Sequence, residues 1–325
     1  MRAEAVHACI DVGSNSVHLL VATVAGGRLG PALDDRSVFL GLGAAADRSL
    51  FGPAMRASLT GVLAEYSAAA RGLGARTVTI VATEPLRRAA DATAMVHEVE
   101  AAGVALHVLT HEEEAFATLL GATGGRRVTS ELAVVDIGGG SCELAFAGPR
   151  SPAVALDVDA GTGRLTRRLV THDPPRRDEL GAVRRRAREL FTAVPTADVA
   201  EVIAVGGTAS NTVKVLALAD GSPPDPWLTS ARLERALDLV SAAPSADVAE
   251  RYLLHPTRAR LLPAGIAALE AVLDRFDVGG LQVSEASLRE GVVLAVAHGG
   301  AAWRDLLPAL TKGWEAQPPT VDDRA

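Results

Sequence analysis

One phrase is written twice in this chain. Residues 9–20 read CIDVGSNSVHLL and residues 134–144 read VVDIGGGSCEL. Asp11 corresponds to Asp136, Gly13 to Gly138 and Ser16 to Ser141, each pair 125 positions apart. In both copies an apolar run ends in an aspartate. A short stretch of glycine and small polar residues follows, and then a second apolar run begins. A displacement of this length is too long for a solenoid repeat of 20–50 residues and suits duplication of a domain. With 325 residues the chain is long enough to bury two cores.

The surrounding pattern supports a duplicated α/β unit. Alternation and β-branched content predict strands over 6–12 and 17–24, with the AGGRLG turn at 25–30 leading to a third. Pro53 opens a helix to about residue 71, with Leu59, Val62, Leu63 and Tyr66 at helical spacing. A strand over 77–82, a helix from about 92 and a strand over 104–109 follow. Thr110 and Glu113 then form a capping box for the next helix. The series restarts with strands over 132–137, 142–146 and 154–158, helices over 161–171 and 177–193, a strand over 201–205 and a helix over 210–218. Helices over 233–242 and 263–276, a strand over 281–283 and a helix over 288–297 complete it. The expected domains are 1–123 and 124–287, with a C-terminal helix at about 288–310 packing back on the first. The segment 313–325 reads as a disordered tail.

Bulk properties narrow the function. A net charge of −7 argues against broad nucleic-acid binding, though a local site can still be positive. No apolar run reaches the roughly 18 residues of a membrane span, and no signal peptide is evident, so a cytoplasmic protein with no membrane partner is expected. Cys9 and Cys142 both lie in strand-like contexts and read as buried thiols in a reducing compartment. The eight histidines show no HExxH or His/Cys spacing, which argues against zinc.

The repeated phrase is suited to phosphate. Backbone N–H groups of a glycine turn form an anion-binding nest, and Gly13, Ser14, Asn15 and Ser16 in one copy match Gly138, Gly139, Gly140 and Ser141 in the other. An aspartate beside phosphates repels them unless a cation intervenes, and Mg²⁺ is the natural mediator. Gly206, Gly207 and Thr208 follow a strand and precede a helix, a further place for a phosphate on helix N–H groups or simply a structural turn. Gly161 and Arg164 carry the same two readings. Nine arginines lie between 164 and 188; a helical face bearing several of them either guides a polyanion or is a solvated face offset by Asp178 and Glu179.

The two phrases resemble the phosphate loops of the ASKHA superfamily, which includes actin, sugar kinases and heat-shock ATPases. They are most similar to the exopolyphosphatase / guanosine pentaphosphate phosphohydrolase (Ppx/GppA) branch. Further segments agree in order: ATEPLRRAADA at 82–92, LTHEEEA at 109–115, GTGRL at 161–165, VGGTASN at 205–211, RLLPAGIAALEAVL at 260–273 and LREGVV at 288–293. The resemblance covers about residues 6–298. It implies two ribonuclease H-like lobes with mixed sheets and a cleft between them.

The resemblance also implies roles. Glu114 is the carboxylate that positions or deprotonates the attacking water, while Glu112 and Glu113 serve the helix N-terminus. Arg87 contacts substrate phosphate, and its neighbour Arg88 reads as a surface charge. Asp136 and Glu143 bind Mg²⁺, or Mn²⁺ in its place, or position water, with Asp11 as the first-lobe counterpart. His18 reads as a packed strand residue. The implied activity is hydrolysis of terminal phosphoanhydride bonds of inorganic polyphosphate, releasing orthophosphate, and the implied assembly is a homodimer. The alternative substrate is guanosine pentaphosphate; an ATPase or kinase on the same fold and a non-catalytic alarmone or polyphosphate sensor are the readings from other classes. One departure stands out: the family usually carries glycine where this chain has Ala286.

Overall fold

The computed structural model describes residues 4–46, 50–101, 105–196 and 199–314. It divides into two compact units. Unit 1 comprises Met1–Val128, Pro149–Ala153 and Ala286–Ala325; unit 2 comprises Thr129–Gly148 and Val154–Glu285. Unit 1 opens with β1 (Ala5–Val12), β2 (Ser16–Ala25), β3 (Arg28–Phe39), α1 (Leu42–Ala46), α2 (Gly52–Gly72) and β4 (Thr77–Ala82). It continues with α3 (Glu84–Arg88), α4 (Ala92–Ala101), β5 (Leu106–Val108) and α5 (His111–Thr123). Unit 2 contains β6 (Leu132–Ile137), β7 (Cys142–Ala147), β8 (Val154–Val158), α6 (Thr162–Leu169), α7 (Arg177–Phe191), β9 (Glu201–Val205) and α8 (Gly206–Asp220). Then come β10 (Trp227–Leu228), α9 (Ser230–Ser241), α10 (Ser245–Arg251), α11 (Pro256–Phe276) and β11 (Leu281–Val283). The chain returns to unit 1 with α12 (Leu288–Gly299), a 3₁₀ turn (Gly300–Ala302) and α13 (Trp303–Leu310).

Each unit has a mixed sheet. In unit 1 the strand order is β3-β2-β1-β4-β5; in unit 2 it is β10-β11-β9-β6-β7-β8. The first three strands of each unit pair antiparallel, and the next strand joins parallel to the first. Thus β1, β2, β3 and β4 correspond to β6, β7, β8 and β9, and the duplicated phrase is the first hairpin of each. The unit 1 core packs Ile10, Leu19 and Ile80 from the sheet against Leu59, Leu63 and Tyr66 of α2 and Met95 of α4. The unit 2 core packs Val135, Leu144 and Ala204 against Val183, Ala187 and Phe191 of α7 and Ile266, Leu269 and Val272 of α11. Burying each such large side chain contributes roughly 1.5–3 kcal/mol.

Several elements differ from the sequence expectation. α11 begins at Pro256, not Pro263. Both prolines suit a helix start, but Pro256 takes the first turn, with His255 Nδ1 accepting from Thr257 N at 3.2 Å, and Pro263 is buried in the interior. α8 begins at Gly206, four residues before the expected Ser210, so the glycines are its first turn. α1, α3, β10 and α10 are additional to the expected elements; all are seven residues or shorter and leave little periodicity to read, and the helix expected over 288–310 is divided into α12 and α13 by the 3₁₀ turn. The strand expected over 104–109 spans Leu106–Val108, and residue 104 lies outside the described residues. Gly313 and Trp314, counted in the expected tail, are held: Trp314 N donates to Gly125 O at 2.9 Å and its Nε1 to Gly27 O at 3.1 Å. The remainder of that segment lies outside the described residues. Ala286 does not adopt a positive φ, so its methyl group costs no backbone strain.

The tightest contact in unit 1 joins α5 to α12. A Cβ added to Gly121 would stand 1.7 Å from Ser287 O, and one added to Gly291 would stand 1.7 Å from Ala117 O. The two helices therefore meet backbone to backbone, and no rotamer change could relieve an added methyl. Gly121→Ala and Gly291→Ala are each expected to cost about 3 kcal/mol or prevent folding, because the overlap is with rigid backbone. Gly61→Ala in α2, where a Cβ meets nothing within 4 Å, is expected to stabilise by up to about 1 kcal/mol. Denaturant midpoints of the three variants check both expectations.

Candidate active site

The duplicated loops fold alike. Gly13 N donates to Ser16 O at 3.1 Å, and Gly138 N donates to Ser141 O at 3.0 Å. Beyond this closure, Gly43 N of α1 donates to Ser14 O at 2.7 Å, and Gly163 N of α6 donates to the equivalent Gly139 O at 2.8 Å. In each unit the helix after the third strand is thereby docked on the loop. Gly161 belongs to this docking: a Cβ there would stand 2.4 Å from the carbonyl carbon of Gly140. Its packing accounts for the missing side chain.

Strand register then decides which side chains sit beside each loop. Directly opposed residues of an antiparallel pair share a face of the sheet. Asp136 is opposed to Glu143, and Glu143 to Asp157. Three carboxylates therefore run in a row across β6, β7 and β8, and oxygens of Glu143 and Asp157 lie within 4.8 Å of each other. In unit 1 the equivalent row is Asp11, His18 and Ser37. The frame is duplicated, but the acidic row belongs to unit 2. Asp157 is a residue the sequence reading missed; its only signal was its place on the third strand of a unit whose first two strands already carried acids.

Asp136 has no hydrogen-bond or ion-pair partner among the described residues, and burial pushes its carboxyl up to about 6. The crowding comes partly from Gly206, where a Cβ would stand 2.3 Å from Asp136 Oδ1; Gly206 has φ +78°, a conformation suited to glycine. A half-buried carboxylate lacking a counter-charge, in a row with two other oxygen donors, fits a hard divalent cation. Thr208 Oγ1 donates to Ile137 O at 2.6 Å and ties α8 to β6. Arg258 was also missed, because the later helix start placed it in a loop. Its Nη1 lies 3.0 Å from where a Cβ on Gly207 would stand, and burial lowers its pKa. A half-buried guanidinium beside the first turn of α8 is a strong attractor for an anion.

In unit 1 the three acids of HEEEA separate. Glu113 closes the capping box with Thr110 and is gripped by Arg304 of α13, whose Nε and Nη2 each donate at 2.8 Å. This pairing holds the Glu113 carboxyl below the usual range. Glu112 is exposed, whereas Glu114 is buried. Arg87 Nη1 donates to Glu114 Oε2 at 2.6 Å and to Leu109 O at 2.8 Å, and Nη2 lies 3.2 Å from His111 Nδ1. A guanidinium can only donate, so this geometry makes His111 Nδ1 the acceptor and puts the ring proton on Nε2. Arg88, expected as a surface charge, is partly exposed but its Nε pairs with the buried Glu84 at 2.7 Å. Glu84 also accepts from Ser14 Oγ at 3.1 Å, which anchors the first loop to α3.

The arginine-rich segment is not one surface. Arg184 makes a bidentate pair with Glu270 through Nε and Nη2, both at 2.7 Å, and Arg188 Nε reaches Asp274 at 2.8 Å. These two bind α7 to α11. Glu179, expected as a surface counter-charge, instead accepts from Thr171 N at 2.7 Å and Arg176 N at 2.8 Å at the start of α7.

The two mixed sheets, each with a glycine-closed first hairpin, are those of the actin-like ATPase fold, and the chain is a phosphoanhydride hydrolase. The Ppx/GppA phosphatase family profile matches residues 34–299, and the chain belongs to that family. It is 30% identical over 315 residues to exopolyphosphatase 2 of Mycobacterium tuberculosis, with 89% of this chain and 98% of that one covered. It is 29% identical over 306 residues to exopolyphosphatase 1 of the same organism, covering 88% and 86%. Among solved structures, the Ppx/GppA enzyme of Aquifex aeolicus superposes with a TM-score of 0.77 at 27% identity, covering 90% of this chain and 100% of that one. An exopolyphosphatase from Cytophaga hutchinsonii shares the fold, with a TM-score of 0.81 at 19% identity, covering 91% and 98%. The activity is of the exopolyphosphatase or GppA type. Among the described residues no helix is long and apolar enough to cross a membrane.

Two predictions follow from this geometry. Asn places Oδ1 where His has Nδ1, so His111→Asn should keep kcat/KM within about threefold. His111→Gln and His111→Ala should each lose roughly tenfold, the value of one hydrogen bond to a charged group. Steady-state kinetics with circular dichroism as a folding control reads this. The second concerns pH. Asp136 titrates at about 6 when folded against 3.8 ordinarily, so the unfolded chain releases its proton first. Without divalent cation, stability is full below the ordinary value and falls as pH rises to about 6, by up to about 3 kcal/mol. Asp136→Asn should remove that fall, and Mg²⁺ at pH 7.5 should raise the denaturant midpoint of the unsubstituted chain but not of the variant.

Proposed function

We propose that the chain is an exopolyphosphatase that removes terminal orthophosphate from inorganic polyphosphate, using water and a divalent cation, Mg²⁺ or Mn²⁺. The observation that carries this is the Arg87–Glu114 pair at 2.6 Å, a buried carboxylate and a phosphate-reading guanidinium held together at the start of α5. Glu114 orients the attacking water and accepts its proton as the bond to phosphorus forms. Arg87 meets the terminal phosphate, and its tie to Leu109 O and His111 fixes the fork in place. The loops Gly13–Ser16 and Gly138–Ser141 offer backbone N–H groups to phosphate oxygens, with Gly206, Gly207 and Arg258 as a further anion-facing turn.

Asp136, Glu143 and Asp157 would hold the cation, with Asp11 as the unit 1 counterpart. Bound there, the cation neutralises charge on the phosphates. The curated relatives at 29–30% identity are exopolyphosphatases, which supports inorganic polyphosphate over guanosine pentaphosphate.

The test compares phosphate release from tripolyphosphate, long-chain polyphosphate and guanosine pentaphosphate, each with and without Mg²⁺. Polyphosphate is expected to be the better substrate by kcat/KM; preference for guanosine pentaphosphate would overturn the assignment. Glu114→Gln should fold normally and lose 10²- to 10⁴-fold in kcat, about the contribution of a general base. Near-normal turnover by that variant would remove Glu114 from the mechanism.

A further inference from the structure

One link at the first glycine loop has no counterpart at the second. Ser14 Oγ donates to Glu84 Oε2 at 3.1 Å, and Arg88 Nε donates to Glu84 Oε1 at 2.7 Å. Arg88 Nη2 reaches Gly43 O at 3.4 Å, and Gly43 N donates to Ser14 O at 2.7 Å. These four bonds close a ring that runs through the loop, α3 and α1. Glu84 is buried at its centre, and each of its carboxylate oxygens serves a different neighbour.

The duplication supplies an internal comparison. At the displacement of 125 positions Thr83 corresponds to Thr208. The same bond recurs there: Thr83 Oγ1 donates to Val12 O at 3.4 Å, and Thr208 Oγ1 to Ile137 O at 2.6 Å. The docking bond from Gly43 N to Ser14 O recurs as Gly163 N to Gly139 O. The ring does not recur. Ser14, Glu84 and Arg88 correspond to Gly139, Ala209 and Val213, and the last two are buried apolar residues. Apolar packing therefore serves this helix face in unit 2, and a buried ion pair is often no more stable than apolar residues in its place. Stability alone gives no reason for the three polar residues of unit 1. Helix length does. α8 has 15 residues, whereas α3 has five, too few for its own hydrogen bonds to hold its axis. α3 also carries Arg87, the partner of Glu114, where α8 has Thr212. The helix that is tethered is the one that aims this guanidinium.

We propose that Glu84 is a positioning residue for the hydrolysis: through Ser14 and Arg88 it locks the first loop to α3, so that a phosphate on the loop stays in register with Arg87. The proposal rests on the reading above of that loop as phosphate-binding and of Arg87 and Glu114 as the groups that meet the reacting phosphate and water. Its test uses the full chain carrying Glu84→Ala with Arg88→Val, the residues unit 2 has on the same face. Ser14→Ala, the combination of all three substitutions, and Glu84→Gln complete the set. Steady-state kcat and KM are measured on tripolyphosphate and on guanosine pentaphosphate, with denaturant midpoints for every variant.

The paired variant should keep or raise its denaturant midpoint while kcat falls about tenfold and KM stays within about threefold, since a misplacement of about 1 Å costs up to about 10²-fold in rate. Ser14→Ala should show a similar loss, and the triple variant should lose less than about twofold more, because the two ends of one link are not additive. Glu84→Gln keeps an acceptor for Ser14 Oγ and should hold kcat within about threefold of the unsubstituted chain. Unchanged kcat in the paired variant, whether or not its midpoint drops, would overturn the role. So would losses that multiply in the triple variant, or a Gln variant as slow as the Ala one. If the paired variant does not fold, the loss in Ser14→Ala and its absence in Glu84→Gln decide by themselves. If only guanosine pentaphosphate is turned over, polyphosphate fails as the substrate and the same variants, read on that nucleotide, still decide Glu84. Near-normal turnover by Glu114→Gln would remove Glu114 from the chemistry, with the coupling of Ser14 to Glu84 still read from its own variants.

Discussion

Unit 1 depends on two helices touching through their backbones. Gly121 of α5 lies against Ser287 O, and Gly291 of α12 lies against Ala117 O, with space for hydrogen only. This contact fixes the axis of α5, and the axis fixes where its first turn points. The Thr110–Glu113 capping box then sets that turn, Arg304 clamps it from α13, and Glu114 one position on meets Arg87. The water-orienting role proposed for Glu114 requires a rigid helix beneath it. The close crossing supplies that rigidity without any polar group.

The duplicated hairpin shows how one frame supports two kinds of surroundings. Both copies close with the same bond, and both receive the next helix at the same carbonyl. Their side-chain rows differ: Asp11, His18 and Ser37 in one, Asp136, Glu143 and Asp157 in the other. Backbone N–H groups for phosphate are thus available in both units, whereas oxygen donors for a cation are concentrated in unit 2. Asp136, half-buried and without a partner among the described residues, carries a raised pKa that a bound cation would reverse.

Legibility in the sequence followed the range of the interaction. The DxGxxS loops, the strands that flank them, the Thr110–Glu113 cap and the separation of Glu114 from its two neighbours depend on residues a few positions apart. Asp157 was invisible because only strand register aligns it with Glu143. Arg258 was invisible because two prolines competed for one helix start. Glu84 sits in a quoted segment, yet its tie to Ser14 spans 70 residues. The arginine-rich stretch was ambiguous for the same reason: whether an arginine is structural or available depends on which helix lies opposite, and α11 takes Arg184 and Arg188 but leaves Arg186.

By itself the sequence determined that this protein is a duplicated α/β fold with a glycine-rich loop at the first hairpin of each half, because turn chemistry and alternation are local properties of the chain. It also carried enough ordered motifs to indicate the family. Only the tertiary structure decided which carboxylates form a row, which arginines are spent on packing, and what holds Arg87 and His111 in place. Those outcomes depend on strand register and helix–helix apposition between residues far apart in sequence, where a shift of one position would exchange a site residue for a buried one.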